Sequence, residues 1–143
     1  MNPKVDNIAE QDNRMTFTLS NVNVSFANAI RRILLSDVPS VVFRTFPHTE
    51  NKMKIIKNTT RLTNEILKQR LSCIPVFLPV SDSIKDLSVE VNVKNTTDQI
   101  IYVTTKDFKI RHKSTGKYLN DSEQHRIFPA DPISKNYILF ARL

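Results

Sequence analysis

Between Ser25 and Pro39, "SFANAIRRILLSDVP", the chain fixes its own local conformation and much of what can be built around it. At about 100° per residue, Phe26, Ala29, Ile30, Ile33 and Leu34 fall on one arc, the apolar stripe of an amphipathic helix. Ser25 is placed to cap its start. Pro39 ends it by pushing Val38 out of helical geometry. Arg31, Asn28 and Arg32 fall opposite the apolar arc, and Leu35 lands among them. Two readings fit this wheel. One is a surface helix with a single exposed leucine, which is common. The other is a helix used on both sides, with an apolar arc in a core and an Arg/Leu face against another protein. Arginine suits the second, because its planar fork bonds carboxylates in pairs and it is enriched at interfaces.

Around this helix the pattern is mostly β. "MTFTLS" alternates Met15, Phe17 and Leu19 against threonines, the period of a half-buried strand. "EQDN" before it is turn chemistry, and a first strand near Val5–Ala9 would pair back across it. "SVVFRTF" is β-rich, and residues 47–52 read as a loop tip leading into "MKIIK". A second short helix fits "LTNEILKQRLS", stopped at Ile74-Pro75. After Pro79, "LSVEVNV", "QIIYVTT" and "FKIRHK" are short β segments, with "KNTTDQ" and "KSTGKYLND" as hairpin connections. "NYILFARL" is strand-like and runs to Leu143 without a polar tail. An unblunted apolar strand there is a pairing hazard, so a fragment, or a chain completed by a partner, is expected.

Composition narrows the function classes. No apolar run approaches the roughly 20 residues that span a bilayer, and "MNPKVDNIAEQDNR" has no signal-peptide core. The expected location is intracellular, which leaves the sequons at Asn58, Asn95 and Asn120 unmodified. Cys73, the single cysteine, excludes an intrachain disulfide and a cysteine-cluster zinc site. Its apolar neighbours Leu71, Ile74 and Val76 point to a buried, inert thiol. The net charge of +7 and pI of 9.7 raise nucleic acid or an acidic protein as partners. The basic residues are dispersed, however: Lys52, Lys54 and Lys57 alternate with apolar residues, and Lys106, Lys109, Arg111 and Lys113 recur at mixed spacing. Such runs read first as a solvated face.

Catalysis finds no foothold. Gly116, the only glycine, makes no phosphate-cradling loop. His48, His112 and His125 lack cysteine or carboxylate spacing for a metal. Serine, histidine and aspartate all occur, but spacing alone does not bring them together.

"SFANAIRRILLSDVPSVVF" closely resembles the first helix and following strand of the alpha-like assembly subunits of multisubunit DNA-directed RNA polymerases. That family comprises the bacterial alpha N-terminal domain, its archaeal counterpart and the eukaryotic third-largest subunit. Asn28, Arg31, Arg32, Ile33, Asp37, Val38 and Pro39 carry the match. "NTTRLTNEILKQRLSCIPV" resembles a second motif of the archaeal and eukaryotic branch through Asn58, Thr59, Thr60, Leu62, Glu65, Arg70, Leu71, Ile74 and Pro75. "VEVNVKNTTDQIIYVTTKDFKI" resembles the family's inserted β domain through Thr104, Thr105, Asp107 and Phe108, and "DPISKNYILFARL" the strand that closes it. There are departures. Ser72 stands where the family usually has glycine, "HTENKMKIIK" is longer than the usual connection, and the metal-binding cysteines of some relatives are missing. The family's C-terminal strand and long dimerisation helix have no counterpart before Leu143.

The resemblance implies an α+β fold: a dimerisation domain, begun by residues 1–76, interrupted by an inserted, mostly antiparallel β domain over 77–143. It implies a non-catalytic subunit that dimerises with a second alpha-like subunit or domain and scaffolds the two large catalytic subunits. Those subunits would hold the magnesium site and make the only link to DNA. No cofactor or metal carries over. The implied interface comprises Phe26, Asn28, Ala29, Ile30, Arg31, Arg32, Ile33 and Leu35, with Glu65 and Arg70; Arg70 could instead simply pair with Glu65. The location implied is the nucleus for a cellular polymerase, or host cytoplasm or virion for a viral one. The scarcity of glycine beside abundant Asn, Lys and Ile points to an AT-rich genome, which fits a large DNA virus or a protist equally. The rival from another class is a small basic nucleic-acid-binding protein, although its aromatics are not interleaved with basic residues as single-strand binders require.

Overall fold

The structure, a computed structural model, describes residues 2–11 and 14–143. The chain divides into two compact units, one up to Pro39 and one from Ser40 to Leu143. The boundary expected at 76/77, between a dimerisation domain and its insert, falls inside the second of these units.

The first unit opens with β1 (Lys4–Gln11) and β2 (Arg14–Ser20), an antiparallel pair in the register Val5↔Leu19 and Gln11↔Arg14. Asp12 and Asn13 of the expected "EQDN" turn lie outside the described residues. A bulge between Asp6 and Ala9 interrupts the ladder. Asn7 there takes φ 53°, a left-handed conformation that asparagine tolerates better than most residues. Helix α1 (Val24–Ser36) follows. Its cap is Asn23, not Ser25: the Asn23 Oδ1 accepts from the N–H groups of Ser25 (2.6 Å) and Phe26 (3.3 Å). The helix therefore starts earlier than serine chemistry suggests, because asparagine at 23 can satisfy two orphan donors.

The second unit is built on α2 (Asn64–Ser72), β3 (Leu87–Val91), β4 (Tyr102–Thr104), β5 (Phe108–His112), α3 (Asp121–Ile127) and β6 (Leu139–Arg142). β3 pairs antiparallel with β5, and β4 with β6. "KNTTDQ" thus joins strands of two different sheets and is not a hairpin connection. "KSTGKYLND" does fold back: Gly116 at φ 69° turns the chain, and Arg111 bridges Tyr118. It then enters α3, which the β pattern of this half concealed. The Thr104–Asp107 step is a capping box, with the Thr104 N–H on Asp107 Oδ2 at 2.8 Å; it swings the chain from β4 into β5.

"SVVFRTF" and "MKIIK" form no ladder among the described residues. Their alternation survives in burial: Val41, Phe43 and Thr45 are half-buried, and Val42, Arg44 and Phe46 exposed. Phe43, Met53 and Ile55 pack against the core as strand residues would, and the Lys52 N–H, just before the second segment, bonds the Arg44 carbonyl of the first at 2.8 Å.

The core gathers Leu67, Leu71 and Ile74 from α2 and its end, Val103, Phe108 and Ile110 from the strands, and Ile127, Phe128, Phe140 and Ala141. Phe108, 1% exposed, is its centre, meeting Phe128 and Phe140 edge-on at 5.4 and 5.6 Å between ring centroids. Such edge-to-face pairs add about 0.5–1.5 kcal/mol beyond area burial. α2 ends without the glycine that the resemblance leads one to expect there. Ser72 Oγ donates to the Gln69 carbonyl (2.7 Å), and the Cys73 and Ile74 N–H groups bond the Arg70 and Leu71 carbonyls at 3.2 and 3.1 Å. Cys73 stays right-handed at φ −87°, so this end needs no left-handed residue. Its thiol is exposed, not buried: the helix turns Leu67 and Leu71 inward and leaves residue 73 facing out.

Candidate protein interface

No residue of α1 is buried. Only Ala27 and Ile30 are half-covered. The arc expected to enter a core lies open, with Phe26, Ile33 and Leu34 at 49, 52 and 59% exposure. Ala29 is exposed too, and Leu35 on the Arg side stands at 76%. Burying such side chains is worth roughly 1.5–3 kcal/mol each. A contiguous exposed apolar face of this kind is a common form of protein-interaction surface.

The opposite side of the helix is polar and partly organised. Asn28 Oδ1 accepts from both Nε and Nη2 of Arg31. The Arg32 guanidinium makes no hydrogen bond or ion pair among the described residues. Ser36 Oγ donates to the Arg32 carbonyl and to Asp37 Oδ1, both at 2.8 Å, while the Asp37 N–H closes the last turn on Ile33. The core expected beneath Phe26, Ile30 and Ile33 is therefore an uncovered surface. The wheel places side chains on a face, but it cannot say whether anything lies against that face.

Glu65 and Arg70 sit on α2, in the second unit. Glu65 is exposed in the first turn, where its charge suits the helix N-terminus. Arg70 does not pair with it. Its Nε donates to the Phe140 carbonyl (2.7 Å) and its Nη2 to the Leu139 carbonyl (2.8 Å), so it pins α2 to β6. An arginine reads as an interface residue from sequence, yet its fork can equally satisfy two carbonyls of a strand.

One polar cluster gathers residues that spacing left unconnected. Asp86 Oδ2 accepts from Ser114 Oγ (2.7 Å) and meets His112 Nδ1 at 3.1 Å, while Oδ1 takes the Ser114 N–H at 2.9 Å. The serine bonds the aspartate rather than the histidine. With both its N–H and its hydroxyl on one carboxylate, Ser114 acts here as a clamp on its loop. The Ser114 hydroxyl first, then the Ser114 N–H, hold the Asp86 carboxyl below its ordinary pKa. Among the described residues, no three His, Cys, Asp or Glu side chains converge as metal ligands would. No described helix is long and apolar enough to cross a membrane.

The family model described as the RNA polymerase Rpb3/Rpb11 dimerisation domain matches residues 16–133. The chain is 28% identical, over 121 residues, to subunit rpac1 of DNA-directed RNA polymerases I and III of Dictyostelium discoideum. That match covers 85% of this chain and 32% of the relative. It is 32% identical over 77 residues to the DNA-directed RNA polymerase subunit Rpo3 of Pyrococcus furiosus, covering 54% of this chain and 27% of the relative. It is 33% identical over 75 residues to the human RPAC1 subunit of DNA-directed RNA polymerases I and III, covering 52% and 20%. The chain spans about a third or less of the length of these curated relatives.

Proposed function

Because the chain belongs to the RNA polymerase Rpb3/Rpb11 dimerisation-domain family, we propose that it is a non-catalytic assembly subunit of a DNA-directed RNA polymerase. It pairs with a second alpha-like chain through the apolar arc of α1 and presents the Arg31/Arg32 side to the large catalytic subunits. The observation that carries this is the helix itself: 13 residues with none buried, an open apolar arc, and one oriented and one unpaired arginine behind it. We assign the dimerisation domain to residues 1–76, with α1 as its contact surface, and the inserted β domain to residues 77–143. Glu65 belongs to the partner-facing set, whereas the engaged donors of Arg70 support a structural part for it. Such a subunit acts inside the cell and reaches DNA only through the assembled enzyme.

The nucleic-acid reading has less support. The whole +7 lies in residues 40–143, since Lys4, Arg14, Arg31 and Arg32 balance Asp6, Glu10, Asp12 and Asp37 in the first unit. In that basic half, Phe43, Phe108, Phe128 and Phe140 stack on one another in the core and are not free to stack on bases.

Affinity purification of the tagged chain from its native source tests the proposal. Co-purification of a second alpha-like chain and two large polymerase subunits is expected. A chain that returns alone, or with salt-sensitive nucleic acid and no polymerase subunit, overturns it.

A further inference from the structure

The tripeptide Asn-Thr-Thr occurs twice in the second unit, at 58–60 and 95–97, and folds the same way both times. Asn58 Oδ1 accepts from the Thr60 N–H (2.9 Å) and Oγ1 (2.8 Å), and its Nδ2 donates to the Leu62 carbonyl at 2.8 Å. Asn95 Oδ1 accepts from the Thr97 N–H (2.8 Å) and Oγ1 (2.9 Å), and its Nδ2 donates to the Gln99 carbonyl at 2.8 Å. Asn95 Nδ2 also reaches the Leu143 carbonyl at 3.0 Å, tying its turn to the end of β6. Each side-chain amide thus replaces a backbone turn and fixes its loop before any partner arrives.

These two turns flank one groove of about 610 Å³. Its apolar lining comes from Leu62, Ile100, Leu139 and Leu143. Ile100 is 65% exposed, although it lies beside strand residues that pack inward. The charged side chains lining it are Arg61, Arg70 and Arg142, with Asp98 as the acidic one. Arg70 is committed to the β6 carbonyls. Arg142 lies over the Tyr102 ring at 5.3 Å, and Arg61 makes no hydrogen bond or ion pair among the described residues. Two guanidinium groups therefore flank an open apolar trough with no carboxylate bound to either.

We propose that this groove docks an extended protein segment that alternates acidic and aliphatic residues. Aliphatic side chains would cover Ile100 and Leu62, and carboxylates would meet Arg61 and Arg142, whose planar forks bind carboxylates in pairs. Rigid turns on both sides spare the complex the entropy of ordering its own walls. A nucleic-acid strand fits less well, because no aromatic face lines the groove for bases to stack on. The site lies wholly in the second unit and does not depend on α1.

Fluorescence anisotropy of a labelled peptide of alternating Glu and Leu, titrated with the intact 143-residue chain, tests this. Saturable binding is expected, with a Lys/Leu peptide and an oligo-dT strand binding far more weakly. Arg61→Glu and Ile100→Asp should each weaken it by at least about tenfold. Neither side chain holds the fold, and an unchanged thermal melt of each variant verifies that. Phe26→Asp on α1 should leave the affinity unchanged. The proposal is overturned by any of four results: no saturable binding, equal binding of the Lys/Leu peptide or oligo-dT, indifference to both groove substitutions, or loss of binding in the α1 variant alone.

Discussion

Asn28 and Arg31 form a closed pair within one turn of α1, the asparagine amide oxygen accepting from Nε at 3.1 Å and from Nη2 at 2.9 Å. One edge of the Arg31 guanidinium is thereby fixed, while the adjacent Arg32 keeps its donors free. Two neighbouring arginines are thus prepared differently. In the proposed interface Arg31 would arrive pre-oriented and lose less side-chain freedom on binding, whereas Arg32 would have to be ordered by the partner.

The first prediction separates assembly from stability at Asn28. Alanine is a better helix former than asparagine by roughly 0.5 kcal/mol. The exposed hydrogen bonds it removes are worth about as much. Asn28→Ala should therefore leave the melting temperature unchanged or slightly raised. Co-purification with large polymerase subunits should still weaken, as it should with Arg32→Ala. A fall in melting temperature without loss of assembly would mean that the pair serves only the helix.

The second concerns Ile33. On a wheel it reads as a core residue whose replacement by aspartate would unfold the chain. In the structure it is half exposed and no residue of its helix is buried. Ile33→Asp should change the stability of the chain by less than about 0.5 kcal/mol and abolish pairing with an alpha-like partner. Phe108→Ala, at the centre of the aromatic cluster, should cost about 3–5 kcal/mol. Parallel denaturant melts and pull-downs distinguish the two behaviours.

These cases mark how far the sequence could be read. Period locates β2 and α1, whose apolar residues keep one face; β1 follows from the turn chemistry beside it, α2 from its stop at Ile74-Pro75, and β6 from its strand-like composition. α3 was hidden: it has seven residues, and its only local sign was the Asn120/Glu123 capping box. The pairing of β3 with β5 was hidden too, since turn residues report where a chain bends and not which strand it returns to. The exposed thiol of Cys73 was legible in principle. It sits about 120° or more around the helix from both Leu67 and Leu71, but apolar neighbours in sequence suggested burial. For α1 the chemistry of both faces could be read; the emptiness beside the apolar one could not.

The third prediction follows from Arg70. Its two bonds to the Phe140 and Leu139 carbonyls link α2 to β6. Arg70→Ala should destabilise the second unit by about 1.5–3 kcal/mol, the range for hydrogen bonds to a charged donor. Arg70→Lys should rescue only part, because a single ammonium cannot reproduce the fork. Hydrogen exchange should rise in both α2 and β6. Exchange that rises in neither, with assembly lost, would return Arg70 to the partner interface.

The fourth concerns acid. Asp86 is held below its ordinary pKa of 3.8 by the Ser114 hydroxyl, then the Ser114 N–H, with smaller help from His112. The folded chain therefore takes up this proton less readily than the unfolded one. The stability involved is complete above the unfolded value, declines as pH falls below about 4, and is gone once pH passes the lowered folded value. Asp86→Asn should flatten that part of the stability profile between pH 5 and pH 2 by removing its titration. A variant whose acid profile matches the parent's would show that the clamp is not coupled to folding.

The last prediction concerns the open face of α1. Phe26, Ile33 and Leu34 stand roughly half exposed. β2 adds Met15 and Phe17, also exposed, to the same unit. Covering the exposed half of the three helix side chains would be worth about half of the roughly 1.5–3 kcal/mol that full burial of each gives, a sum that approaches the lower end of a small domain's whole stability. The isolated chain should therefore bind an apolar-surface dye such as anilinonaphthalene sulfonate and self-associate as its concentration rises. The second unit, with its own buried core, should still melt cooperatively. Adding an alpha-like partner should quench the dye and abolish self-association, and Phe26→Asp with Ile33→Asp should do the same without a partner. If the chain is a dye-silent monomer at all concentrations, α1 is covered from within and the dimerising surface must be sought elsewhere. If the dye signal survives both substitutions, it comes from another face, and the hairpin residues Met15 and Phe17 become the surface to test.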